Sequence, residues 1–341
     1  MVKIDKKSLG LKYIIIAIIP IILFFISINI GRYSVSLTEF FQLIGNKFLG
    51  RNYQIEDTID TVIFNIRIPR VIVAIFVGAS LSVSGAAYQG MFKNPMVSPD
   101  ILGASAGAGF GAALGILLSF NQISIQIISF SFGLIAVFLT YFISSRFGRS
   151  TDTIFLLILG GMLVGSLFQA FISLTKYVAD PDEKLPAITF WLMGSLSSVR
   201  LSDILAILIP FIIGFSILFV MRWKMNVMSF GEEEAKTLGI NTDRVRIAVI
   251  LASTLLTSAS VSRCGLIGWV GLVVPHLARM VFGPNFKYLI PASALMGGTY
   301  LLIVDNLART MAKIEIPLGI LTAIVGAPFF IYLLMRARKG W

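Results

Sequence analysis

Thr153 to Thr175 reads TIFLLILGGMLVGSLFQAFISLT, a run without a single charged side chain. A helix that crosses a bilayer needs about 20 such residues, because lipid offers no partner to a backbone N–H or C=O left open. Similar apolar runs, three of them with one arginine near an end (Arg70, Arg246 and Arg279), recur at Tyr13 to Ile30, Ile68 to Phe92, Ile101 to Leu118, Ile123 to Ser145, Ile204 to Met221, Val245 to Val261, Leu266 to Val281, Tyr288 to Val304 and Ile316 to Met335. The pattern predicts an all-α polytopic membrane protein of about ten transmembrane helices, forming one integral domain over residues 1–341.

Composition agrees with that class. Hydrophobic residues make up 57% of the chain and charged residues 13%, about half the charged share of an ordinary soluble domain. The 30 Gly and 12 Pro suit closely packed spans, where small residues let backbones approach and Pro is tolerated. The net charge of +11 does not point to nucleic acid, since the Lys and Arg sit at the ends of apolar runs and form no aromatic-interleaved patch. With one Cys (Cys264) and one His (His276), an internal disulfide is impossible and a metal site built on Cys and His is not expected. The N-terminal run is long enough to span and lacks a small-x-small cleavage site, so it reads as a retained first span.

Basic residues concentrate in loops on the cytoplasmic side. With ten spans and the N-terminus inside, most Lys and Arg fall inside, among them Lys12, Arg146, Arg222, Lys224, Arg244, Arg246, Arg279 and Lys287. The asymmetry predicts that both termini are cytoplasmic. Two outside loops are long enough to hold structure: Gly31 to Arg67, and Lys176 to Asp203. The second contains an amphipathic run, Leu185 to Val199, expected as a short interfacial helix anchored by Trp191.

The most densely charged segment, Arg222 to Arg246, is expected between the sixth and seventh spans. Within it, Glu232, Glu233 and Glu234 suit the positive end of a short helix, and Gly239 suits its C-terminal stop. Ala235 and Leu238 are expected to be available to a partner's hydrophobic groove; a solvated loop is the alternative. On the span Thr153 to Thr175, Gly161, Gly165, Gln169 and Ser173 fall four apart and share one face. Such a stripe either packs against a helix through a small-x-x-x-small motif or borders a pore. The tract Gly103, Ser105, Gly107, Gly109 and Gly111 reads as packing, and nothing in the chain resembles a Walker phosphate loop.

From Arg67 the chain reads Arg-Ile-Pro-Arg70, continues through Gly78-Ala-Ser-Leu-Ser-Val-Ser-Gly85, and reaches Asn94-Pro95 and Leu102-Gly103. Trp191 to Leu196, Gly231 to Gly239, Gly268 to His276 and Pro317 to Pro328 follow in order. These motifs resemble the FecCD-type permease subunits of type II ATP-binding-cassette (ABC) importers for iron-siderophores, haem and cobalamin. The resemblance implies that Arg67, Arg70 and Arg309 form salt bridges with a substrate-binding protein docking from outside; ordinary snorkelling is the plainer reading of such residues. Asp305 is placed to hold Arg309 at i,i+4. It further implies that Gly161, Gly165 and Gln169 border the translocation route at a dimer axis. Residues Gly231, Glu232, Glu233, Glu234, Ala235, Leu238 and Gly239 would form the coupling helix, which fits a cleft on the ATP-binding subunit. His276 would make a helix-end hydrogen bond near that contact. Two copies of the chain, two ATPase subunits and an extracytoplasmic binding protein would assemble in a bacterial or archaeal cytoplasmic membrane. ATP and Mg would be held by the ATPase, with no cofactor on this chain. Cargo would be an iron-siderophore, haem or cobalamin, with oxyanions such as molybdate also handled by similar permeases. The competing class, an ion-coupled secondary carrier, would want intramembrane Asp, Glu or His, of which the spans offer almost none.

Overall fold

The computed structural model describes residues 6–31, 33, 35–51, 53–147 and 153–337. Lys3, Arg149, Arg338 and Lys339, which contribute to the expected charge asymmetry, lie outside them. In chain order the helices are α1 (Lys6–Asn29), α2 (Leu37–Leu49), α3 (Asp57–Asp60), α4 (Ile68–Met91), α5 (Ala104–Leu117), α6 (Gln122–Phe147), α7 (Thr153–Val178) and α8 (Lys184–Leu192). There follow α9 (Leu201–Met228), α10 (Glu232–Thr237), α11 (Thr242–Cys264), α12 (Val270–Phe282), α13 (Phe286–Thr310) and α14 (Leu318–Ala337). A π-helical turn, Thr61–Arg67, joins α3 to α4, and a 3-10 turn, Pro99–Leu102, precedes α5.

Among the described residues seven helical stretches are long and apolar enough to cross a membrane: α1, the continuous α3–α4 stretch, α6, α7, α9, α11 and α13. Two further apolar helices, α5 and α12, are shorter, and α14 has 20 residues. Together they occupy the ten expected runs. At 1.5 Å per residue α5 and α12 are each about 20 Å long, short of a hydrocarbon core of about 30 Å. Each completes its run with non-helical backbone, and such backbone survives at depth only where protein satisfies it. Before α5, Gly103 turns the chain at φ +83°. Before α12, Trp269 sits at φ +68° with its side chain packed over Gly326 of α14. Nearby, Ser195 N–H donates to Cys264 O at 2.8 Å, and Leu318 N–H and Gly319 N–H donate to Gly194 O and Met193 O at 2.9 and 3.0 Å.

Burial separates a centre from a rim. In their most apolar windows the α3–α4 stretch is 83% buried and α1 only 11%, so α4 is a core helix and α1 a peripheral one. The contact of α4 with α13 reaches backbone level: a Cβ added at Gly78 would lie 2.2 Å from Gly297 O, and one at Gly297 would lie 2.3 Å from Gly78 O. Without an apolar driving force between helices in lipid, such close approach is what holds them together. On another side of α4, Ser84 Oγ donates to Ser253 O of α11 at 3.2 Å.

The expected interfacial helix over Leu185 to Val199 is shorter than its apolar run. α8 ends at Leu192, and Gly194 breaks it at φ +77°. Its Ile188 is fully buried among Ala113, Ile116 and Leu117 of α5, so α8 is seated against the bundle, with Trp191 half-buried.

Candidate functional site

The charged segment between α9 and α11 folds as a short projecting helix. α10 opens with Glu232, Glu233 and Glu234 in its first turn, where carboxylates meet the free N–H groups. It closes at Gly239, φ +77°, whose N–H donates to Lys236 O at 2.9 Å while Ile240 N–H donates to Ala235 O at 3.0 Å. The left-handed residue after the last turn is what glycine supplies at low cost. Asn241 then caps α11 by accepting from Arg244 N–H at 3.0 Å.

Arg246 fastens α10 to α11. It is 3% exposed, pairs with Asp243 at 2.7 Å and also pairs with Glu232 at the start of α10. Lys236, on the open side, reaches Glu233 at 3.0 Å, and that hydrogen bond holds its ammonium above the usual lysine range. A cavity of about 290 Å³ lies beside the helix, lined in part by Tyr141, Ser144, Thr153, Glu232, Lys236 and Arg246.

One expectation for this helix is corrected. Ala235 is not available to a partner: it is fully buried, because the face that carries it closes onto the core with Ile240. The outward apolar groups are Leu238, 64% exposed, and Phe230, 77% exposed, which flank the helix at its two ends. Phe230 escaped the sequence reading, although an aromatic immediately before Gly231 in a polar segment is a visible signal. A second unforeseen feature ties the segment to the bundle. Asn226, in the last turn of α9, donates to Asn285 Oδ1 at 2.9 Å and accepts from Phe286 N–H at 2.8 Å. The end of α9 is thereby clasped to the N-cap of α13.

At the opposite end of α4 and α13 the three arginines come together, but they turn inward. Arg67, Arg70 and Arg309 are 4%, 5% and 7% exposed. Arg67, in the π-helical turn, donates to the carbonyls of Ile28 and Tyr33. Arg70 donates to Asp305 Oδ1 at 2.9 Å and grips Glu315 through two bonds of 3.0 and 2.9 Å. Arg309 pairs with Asp305 at 3.1 Å, the expected i,i+4 partner, and donates to Ile30 O at 3.0 Å. Asp305 is fully buried between the two guanidinium groups. Beside the cluster an open hollow of about 600 Å³ is lined by Gly31, Arg309, Thr310, Met311, Ala312 and Lys313.

The α7 stripe divides. Gly161 is a packing residue: a Cβ there would lie 2.1 Å from Ile101 O. Gly165 faces Gly103 more loosely, with a built Cβ 3.9 Å away, whereas Gln169 and Ser173 are exposed. The 3-10 turn therefore uses the first part of the stripe and leaves the second open. His276 is half-buried within α12, more than a turn before its end. Among the described residues its side chain has no hydrogen-bond partner, so the expected helix-end bond is absent.

This architecture defines a class: a multi-pass helical membrane protein with a small projecting helix at one end and a closed charge cluster at the other. The family model described as the FecCD transport family matches residues 18–336, and the chain belongs to that family. Its relatives include the molybdate import system permease protein of Haemophilus influenzae, 40% identical over 92% of each chain. The cobalamin import system permease protein of Halobacterium salinarum is 40% identical over 83% of this chain and 75% of its own. The hemin transport system permease protein of Yersinia pestis is 35% identical over 84% and 87%. Among solved structures, a metal-chelate type ABC transporter in an inward-facing conformation has a TM-score of 0.84 at 39% identity, covering 94% of this chain and 97% of that one. The protein is the membrane-spanning permease of an ABC importer. It is a transport component and not a catalyst by itself, and it works with an ATPase and a substrate-binding protein.

Proposed function

We propose that α10 is the element gripped by the ATP-binding subunit, and that its grip converts ATP binding into movement of the bundle. The observation that carries this is the contrast across one short helix. Ala235 and Ile240 lock it inward and Arg246 pins its start, while Phe230, Leu238 and two carboxylates project outward. Exposed apolar groups ringed by charge at the end of a membrane bundle are the features of a protein-docking surface. The same contact puts α10 and both termini in the cytoplasm, in line with the excess of basic residues there.

In this reading two copies of the chain form the pathway and each engages one ATPase subunit, which holds ATP and Mg. Gln169, with Gly165 behind it, borders the route, and Gly161 holds α7 in place. The binding protein docks at the opposite end, where Arg309 borders the open hollow and Arg67 and Arg70 brace the ground beneath it. The cargo is a metal chelate of the iron-siderophore, haem or cobalamin kind. The test is a reconstituted complex in which Phe230→Asp and Leu238→Asp are combined. Uptake is expected to fall at least about tenfold, since loss of two central contacts removes several kcal/mol of binding, while the variant chain stays folded. Wild-type uptake from that variant would defeat the assignment.

A further inference from the structure

The α1–α2 corner carries a surface that the transport reading does not use. α2 is a firmly ended helix: Ser36 and Glu39 form a reciprocal cap, with Glu39 accepting from Ser36 N–H at 2.7 Å, and Gly50 stops it at φ +63°. Phe40 and Leu43 point inward and are 5% and 6% exposed, packed with Ile28, Ile59 and Ile63. An inward face of that kind completes the usual requirement of an amphipathic helix. Yet one turn apart on another face stand Leu37 and Phe41, 51% and 58% exposed. No charged side chain separates them, and Lys47 lies on a different side, paired with Asp60 at 3.2 Å.

The outward stripe is continuous with a surface whose solvent is clear. α1 exposes Ile14, Ile18, Ile21 and Ile22 along a helix long enough to span, and Phe25 near its end stacks on Phe41 with ring centroids 6.4 Å apart and planes inclined by 28°. The lipid-facing side of α1 therefore meets α2 at Phe41, with the exposed Leu37 one turn away along α2.

We propose that α2 lies in the headgroup–acyl boundary of the leaflet farther from α10, with Leu37 and Phe41 inserted into lipid. Apolar side chains on a helix in that plane gain by burial in the acyl boundary while the polar face stays wet. The seating bears on the arginine cluster, because Arg67 and Arg309 hold the carbonyls of Ile28 in the last turn of α1 and of Ile30 and Tyr33 in the link to α2. A helix anchored in the leaflet thus fixes the edge of the surface where the binding protein arrives. This inference rests on reading α1 as a span.

Nitroxide labels on Leu37→Cys and Phe41→Cys, in a Cys264→Ser background and in liposomes, test it. Collision with oxygen, which partitions into lipid, is expected to exceed collision with a water-soluble nickel chelate several-fold at both positions, with the opposite order at Lys47→Cys. Predominant collision with the chelate at Leu37 and Phe41 would overturn the proposal. Exclusion of both reagents on adding the binding protein, or on association of copies, would assign the face to a protein and overturn it equally. A label at Ile18→Cys reports on α1 separately: if it too meets the chelate, the spanning reading has failed, not only the placement of α2.

Discussion

Asp305 shows how little of a residue's role its neighbours in sequence reveal. Its i,i+4 partner Arg309 is legible, but Arg70 and Glu315, which complete the network, come from α4 and from the link to α14. A carboxylate with no exposure is tolerable only while both guanidinium groups face it. Asp305→Ala takes from the buried Arg309 its paired carboxylate and from Arg70 one of two, since Arg70 keeps Glu315, and breaking a buried pair in this way costs about 3–5 kcal/mol. The expected outcome is a much lower melting temperature of the purified protein in detergent; an unchanged melting temperature would mean that the network is not closed. Charge reversal at Arg67 is expected to disturb the fold whatever its effect on docking, because Arg67→Glu would set a carboxylate against the Ile28 and Tyr33 carbonyls.

At the scale of elements, most of α10 was readable: three glutamates at a helix start and a glycine after its end need no tertiary information. Its facing was not, because Ala235 and Leu238 are both apolar and only packing decides which one turns inward. The clasp between α9 and α13 was invisible, since Asn226 and Asn285 are remote in sequence and each is an ordinary polar residue near a helix end. Asn226→Ala removes two hydrogen bonds and leaves Phe286 N–H without its acceptor. Such a loss amounts to about 1–3 kcal/mol. Amide exchange at Phe286 and Lys287 is expected to accelerate while exchange in the middle of α13 is unchanged. α8 illustrates the reverse error, an apolar run that continues past Leu192 after the backbone has already turned at Gly194 to pair with α11 and α14.

At the scale of the whole molecule, the proposed reading leaves recognition of the cargo to the binding protein. The ligand that copurifies with that partner is expected to contain iron or cobalt by elemental analysis; molybdenum would move the cargo to the oxyanions. By itself the sequence determined the membrane class, the positions of ten apolar helices and the motifs shared with a transport family, because hydropathy over about 20 residues and short ordered signatures are local properties. Only the tertiary structure decided that α5 and α12 are short and completed by irregular backbone, that Gly161 packs while Gln169 is open, and that the arginines close on Asp305 and Glu315. The physical reason is common to all three. Each depends on which distant backbone or side chain fills the space beside a residue, and in a close-packed interior that is settled by the whole arrangement of helices.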